Sequence, residues 1–370
     1  MSRARTGQAA LVESPGAPFV VRDVDVEAPR AGEVLVRLRA AGLCHTDLAS
    51  SGRWPERLSP MVFGHEGAGV VEEAGPSVHG LVPGDAVVLT FDSCGRCLPC
   101  QDGQPAYCVK SLALNSSGTR RDGSTPLSRG GAPVYGCFFG QSSFATYAVA
   151  NERNTVKIPS DLPFSTAAPL GCGFQTGAGA ILNVLRPKPG EALVVVGVGG
   201  VGMSALLAAV SAGCSPVVAV DPVADRRELA AELGAAATLD PAGVDDVAAA
   251  LRDLTGGGAR HAVDTSARPE MIRAAAAALR PLGTLALLGV GGTLSLPAMP
   301  LILGGVTVRG VTEGDSNPHQ FIPQLVELHR QGRFPVERLV TEFDFADIEK
   351  AAAAMREGAV VKPVLVFPEG

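Results

Sequence analysis

Residues 192–202 read ALVVVGVGGVG and run directly into the helix-prone MSALLAAVSAG. An apolar strand that enters a glycine-rich turn and then a helix narrows the fold more than any other feature of the chain. The strand has no polar alternation, so both of its faces must be covered, as in a parallel sheet with helices on either side. The same texture continues with PVVAVD, ADRRELAAELGA, HAVDTS, a helix around MIRAAAAALRP and the strand TLALLGV. Repeated strand–helix alternation predicts a doubly wound α/β domain.

The turn itself fits G-x-G-x-x-G. Gly197 permits the tight bend, Gly199 lets the backbone approach a pyrophosphate, and Gly202 lets helix and strand pack closely. Gly200 and Val201 belong to the same cofactor-binding turn, and the N-terminal N–H groups and dipole of the helix that follows favour phosphate. A glycine-rich turn with no ligand is the rival reading, and the strand and helix around it argue for a dinucleotide. Asp221 ends the next strand, 19 residues after Gly202. Its carboxylate can accept from both ribose hydroxyls and would repel a 2′-phosphate, although a turn or capping role is the simpler alternative. The residues after it, Pro222, Val223 and Ala224, are uncharged, and Arg226 is expected to bracket the ribose edge. The cofactor read from these residues is NAD rather than NADP.

At 370 residues the chain is too long for one ordinary core and predicts two domains. The formal charge, 31 − 37 = −6, argues against nucleic acid or an anionic membrane as partner. The N-terminus shows no targeting signal, so the expected location is the cytoplasm. Two uncharged runs, 192–214 and 284–308, are long enough to span a bilayer. The first holds GVGGVG and the second Pro297 and Pro300, so both read as βα units instead. Before about residue 155, GEVLVRLRAAGL, GAGVVEEAG, GDAVVLTF and FATYAVA alternate with a period near two and predict an antiparallel β domain. Residues 110–137 are polar and rich in Gly and Ser, and are expected to form an exposed loop. Helices are predicted for FIPQLVELHRQG and FADIEKAAAAMREG, and a closing strand for KPVLVF.

Four of the eight cysteines fall within fifteen residues, CGRCLPCQDGQPAYC. Their spacing is C-x2-C-x2-C-x7-C, at Cys94, Cys97, Cys100 and Cys108. Four soft thiolates on one short segment can close a tetrahedral zinc site, which braces a loop and leaves no position for substrate. An iron–sulfur cluster is the rival, but the bacterial ferredoxin run continues with x3 and Cys-Pro, whereas here x7 intervenes and Val109 follows Cys108. A disulfide pair or unliganded thiols is the remaining reading. Elsewhere, GLCHTD carries Cys44, His45, Thr46 and Asp47, FGHEGAG carries His65 and Glu66, and PLGCGFQTG carries Cys172 and Thr176. Two thiolates and an imidazole have the composition of a catalytic zinc site with one open position. No two of them are close in sequence, and each alone reads as core.

GHEGAGVV, the four-cysteine segment, GCGFQTGAGA and GVGGVG, in this order, resemble the zinc-dependent medium-chain alcohol dehydrogenases from about Ala9 to the C-terminus. CHTDL, GCGFQTGAG and VTEGDSNPHQFIPQLVELHRQGRFP are most similar to bacterial aryl (benzyl) alcohol dehydrogenases. The resemblance implies a GroES-like β catalytic domain over residues 1–173 and 311–370, and a Rossmann NAD-binding domain over 174–310. It further implies two zinc ions per chain. Cys44, His65 and Cys172 would hold the catalytic ion, with Glu66 as a transient ligand or field-tuning group and Asp47 orienting the His65 ring. A bound alcohol would lose its proton through Thr46 and pass hydride to the nicotinamide. Thr176 and Val201 would press on the nicotinamide, and His45 and Lys362 would contact the pyrophosphate. Many relatives end the proton relay in a histidine where this chain has Ala49, so the relay would end at His45 or in solvent.

Pocket positions of the family fall on Trp54, Phe91, Phe138, Phe139 and Val290, all of which also suit plain core. An aromatic wall fits a primary aromatic or allylic alcohol, oxidised reversibly to the aldehyde. The alternatives are a formaldehyde dehydrogenase acting on a thiol adduct, and a non-catalytic zinc- and nucleotide-binding redox sensor. In this family the last Rossmann strand, near residues 306–308, pairs across a two-fold axis, which implies a homodimer, with a tetramer as the alternative. His79, His261, His319 and His329 match no motif and are expected at surface or helix positions. Cys137 and Cys214 are expected to be buried thiols.

Overall fold

The computed structural model describes residues 5–289 and 291–368. They divide into two compact units. One comprises the described residues up to Cys172, Asn317–Val326, and those from Glu337 onward; the other comprises Gly173–Ser316 and Glu327–Val336.

The first unit is built on two sheets. In one, Arg5–Val12 and Phe19–Val26 pair antiparallel along their full length, and Met61–Val62, Leu127–Arg129 and Ala132–Val134 complete it. The other is centred on Glu33–Gly42, the longest strand, which pairs antiparallel with Gly67–Ala74, Tyr147–Asn151 and Lys362–Val366. Ala86–Leu89 lies beyond Gly67–Ala74, and Val340–Asp344 pairs parallel with Lys362–Val366. The period-two alternation has its counterpart in buried Val34, Val36, Leu38 and Val71. Phe19, Phe63, Phe144, Trp54 and Phe138 stack edge to face through the core, with centroids 5.1–6.5 Å apart.

The register of the second sheet decides where side chains meet. Ala41 faces Gly67, Val364 faces Gly42, and Ala68 faces Val88. The end of Glu33–Gly42, the starts of Gly67–Ala74 and Lys362–Val366, and the end of Ala86–Leu89 therefore lie at one edge of the sheet. Residues just outside these strands, among them Cys44, His65, Glu66 and Thr90, converge there.

Residues 110–137 differ from the expected exposed loop. They contain a helix, Ser111–Asn115, and two strands, and they bury Leu114, Leu127, Val134 and Cys137. Arg120 holds the segment down through Glu33 (2.8 Å) and Glu27 (2.6 Å). Its polarity supplies ion pairs to the domain rather than solvation to a loop.

The second unit carries a six-stranded parallel sheet in the order Ala237–Leu239, Val217–Val220, Leu193–Val196, Ala259–Asp264, Leu279–Leu287 and Thr307–Gly310. That is the doubly wound order of a dinucleotide-binding domain. Leu193–Val196 is buried throughout, as its unbroken apolar run requires. His261 departs from the expected surface position: it lies on the strand Ala259–Asp264, is only 4% exposed, and meets Glu191 at 3.1 Å. Cys137 and Cys214 are buried, and burial pushes their thiols up to about 12 and about 11. Among the described residues, no helix is long and apolar enough to cross a membrane.

Candidate active site

Cys44 leaves the strand Glu33–Gly42 and N-caps the helix His45–Ser51 in an extended conformation. Asp47, the third residue of that helix, reaches back to accept the Cys44 N–H at 3.0 Å. Its other oxygen accepts the Gly64 N–H at 3.1 Å and meets His65 Nδ1 at 2.8 Å. Both side chains are fully buried. One carboxylate thus fixes the backbone at Cys44 and at Gly64, just before His65, and holds the proton of His65 on Nδ1, leaving Nε2 with its lone pair available. His65 Nε2 is itself buried and has no hydrogen-bond partner.

The donor atoms of Cys44, His65 and Glu66 all lie within 4.8 Å of one another. Cys172, in the turn after the short helix Ala168–Gly171, adjoins this group. Its hydrogen bond to Cys44, with the help of His65, holds the Cys44 thiol well below the usual range. Burial opposes a charge on His65, yet the Asp47 carboxylate and the Cys44 thiolate outweigh it. The field at this point favours a positive charge, whether proton or metal. A buried nitrogen with no partner, beside two thiols and a carboxylate, fits a zinc ion.

Glu66 is pushed up to about 7 by burial, against the pull of Lys362. Lys362 Nζ lies 2.5 Å from Glu66 Oε2 and donates to the Leu43 carbonyl at 3.1 Å. Gly42 makes the room for this pair, since a Cβ there would come within 2.0 Å of Glu66 Oε2. Lys362, expected at the pyrophosphate, is thus built into the wall behind Glu66. Thr46 Oγ1 lies 3.7 Å from Cys44 Sγ, whereas His45 and Ala49 are exposed on the same helix.

Aromatic rings close one side. Phe139 stacks on His65 at 4.5 Å, Phe138 meets it edge-on at 5.7 Å, and Trp54 packs on Phe138 at 5.8 Å. Phe91 is buried, and Val290 lies outside the described residues. Phe63, which the sequence does not single out, links Trp54 and Phe138.

The donor atoms of Cys94, Cys97, Cys100 and Cys108 likewise lie within 4.8 Å of one another, and none of the eight cysteines is in a disulfide. Cys97 Sγ is 3.4 Å from Cys100 Sγ and 3.9 Å from Cys108 Sγ. These values bracket the roughly 3.8 Å edge of a tetrahedron with Zn–S bonds of about 2.3 Å. The backbone N–H of Arg96 helps hold Cys94 down at about 6, while burial pushes Cys100 up to about 12. The set fits zinc, whose charge would ionise the reluctant thiols.

In the second unit, Gly197 has φ 81°, and a Cβ on Gly202 would lie 1.8 Å from the Gly197 carbonyl oxygen. Helix Gly200–Ser211 starts beneath that turn with no side chain capping it. Over Gly199 the nearest atom to an added Cβ is Arg226 Nη1, at 3.9 Å, so the turn is open where a phosphate would approach. Arg226 Nε is buried without a hydrogen-bond partner. Asp221 accepts from the N–H groups of Val198 and Val223, each at 2.9 Å, which ties it to the glycine turn. The Val201 carbonyl lies against Gly177, and Thr176 Oγ1 is 3.5 Å from Glu313 Oε2. Glu313 carries no sequence signal of a role. These features fit a dinucleotide.

Residues 30–160 match the family model for the alcohol dehydrogenase GroES-like domain, and residues 200–330 match that for the zinc-binding dehydrogenase. The geraniol dehydrogenase of Castellaniella defragrans is 47% identical over 366 residues, 98% of each chain. A crystal structure of an alcohol dehydrogenase zinc-binding domain protein from Burkholderia ambifaria superposes with a TM-score of 0.97 at 45% identity, covering 99% of this chain and 100% of that one. The benzyl alcohol dehydrogenase of Acinetobacter calcoaceticus gives 0.94 at 41%, covering 98% and 100%. The chain belongs to the zinc-binding medium-chain alcohol dehydrogenases.

Proposed function

We propose that the enzyme reversibly oxidises a primary aromatic or allylic alcohol to its aldehyde, with NAD as hydride acceptor. The observation that carries this reading is the buried, unpartnered Nε2 of His65, set among Cys44, Cys172 and Glu66 and walled by Phe138 and Phe139. Zinc at Cys44, His65 and Cys172 supplies Lewis acidity that makes an alcohol acidic near neutral pH, and NAD supplies the hydride acceptor.

The chain's own residues do the rest. Asp47 keeps the His65 tautomer and ring fixed. The Thr46 hydroxyl, beside Cys44 Sγ, takes the alcohol proton towards solvent or His45. Glu66, with Lys362 behind it, is placed to answer changes of charge at the ligands. Phe138, Phe139 and Trp54 present flat apolar faces to a ring or an allylic chain and exclude water. The geraniol and benzyl alcohol dehydrogenase relatives favour the same substrate class. Asp221 and Arg226 hold the adenosine ribose, Gly197, Gly199, Gly200, Val201 and Gly202 cradle the pyrophosphate, and Thr176 packs on the nicotinamide.

A second zinc in the four-cysteine lobe braces that loop. Homodimer formation is supported by Thr307–Gly310, the outermost strand of its sheet, with Leu282, Met299, Ile302 and Leu303 exposed in the same unit. The test is nicotinamide absorbance with NAD and benzyl alcohol, cinnamyl alcohol, geraniol, ethanol, or formaldehyde with a thiol. The expected result is fast turnover on the first three. Turnover on formaldehyde plus thiol alone would overturn the substrate class.

A further inference from the structure

Segment 137–142 (CFFGQS) is unusual in its backbone. Cys137, Phe139, Gly140 and Ser142 all have positive φ, between 50° and 66°. Three of them are not glycine, and such strain persists only where the surroundings enforce it. What the segment delivers is Phe138 and Phe139 to the His65 ring, and the amide of Gln141 to the backbone behind that ring.

Gln141 is 2% exposed. Its Oε1 accepts the Gly67 N–H at 3.0 Å, and its Nε2 donates to the carbonyls of His65 (3.0 Å) and Thr90 (3.2 Å). Thr90 is fully buried, and its hydroxyl donates to the Gly171 carbonyl at 2.7 Å. Gly171 immediately precedes Cys172 and presses against Leu89, where a Cβ would come within 2.2 Å of the Leu89 carbonyl oxygen. Two side chains thus connect the backbones of His65 and Cys172, which lie 172 − 65 = 107 residues apart. Asp47 has the matching place between Cys44 and His65. Buried networks with every partner supplied are stiff and fix one arrangement.

We propose that Gln141, acting through Thr90, is a positioning residue that sets the separation of His65 and Cys172 and so the shape of the catalytic metal site. This rests on the reading that those two residues hold the metal. A plain core role for the pair would give stability without any effect on the ligands.

The test replaces zinc with Co2+ in the whole enzyme and follows the thiolate–cobalt absorption; the component missing from Cys172→Ala reports the catalytic site. Thr90→Val keeps the shape and removes the hydroxyl, whereas Thr90→Ser keeps it. Gln141→Glu keeps the acceptor for Gly67 and removes both donated bonds, which gives a second reading if Thr90→Val does not fold. The expected result is a shifted catalytic component in Thr90→Val and Gln141→Glu, with metal release to a chelator faster by about tenfold or more. The kcat should fall more than KM changes, the lobe component should stay unchanged, and Thr90→Ser should resemble the wild type. An unaltered spectrum and release rate in both variants, with only a lowered melting midpoint, would overturn the proposal. If Cys172→Ala removes no component, the ligand reading itself fails and the proposal falls with it.

Discussion

The two cysteine clusters of the first unit are built in opposite ways. The lobe takes its four sulfurs from fifteen consecutive residues, and backbone N–H groups of the same segment, such as that of Cys94 (3.2 Å from Cys108 Sγ), turn towards the sulfurs. Cys44 and Cys172 lie 172 − 44 = 128 positions apart, and with His65 they meet only because strand register and the packing of the short helix Ala168–Gly171 bring three chain segments together. The lobe needs little beyond its own loop. The other cluster needs the whole domain, and in return it gains buried second partners such as Asp47 and a wall of phenylalanines. A self-contained loop suits a brace, whereas a site assembled across the domain can leave one side open to substrate.

That contrast can be broken at either cluster. Cys44→Ala should have the largest effect on chemistry, lowering kcat/KM by about a thousandfold or more, since a Lewis acid supplies several kcal/mol. Its melting midpoint should move little, and steady-state rates beside a thermal melt check both. Cys97→Ser should do the reverse: calorimetry should show a midpoint lower by about 10 °C, with near-normal turnover per folded molecule at low temperature. Equal losses of activity in both variants would show that the lobe is no mere brace. Asp47→Asn should have the smallest effect of the three, weakening metal retention or activity by about 10- to 100-fold, because the ring stays in place but loses its carboxylate. Chelator competition reads that difference directly.

The same contrast explains what the sequence made legible. The lobe could be read from spacing because its geometry is local. So could the Rossmann sheet, whose apolar strands and glycine turn repeat in order. The candidate ligands Cys44, His65 and Cys172 emerged only by resemblance, because the long-range pairing and packing that bring them together are not written in any short stretch. Gln141 and Thr90 went unseen, since a buried amide bonded to main-chain carbonyls has no pattern in sequence. Residues 110–137 were misread because polarity there serves ion pairs such as Arg120 with Glu33. His261 gave no sign of its buried place on a strand, since its partner Glu191 lies 70 residues away.

The most direct test of this account is the metal content of purified Cys44→Ala beside the wild type, measured together with turnover. The account predicts about two zinc ions in the wild type and about one in the variant, with turnover lost and the lobe metal kept. Two ions retained with turnover intact would contradict it, and the chemistry would have to lie elsewhere.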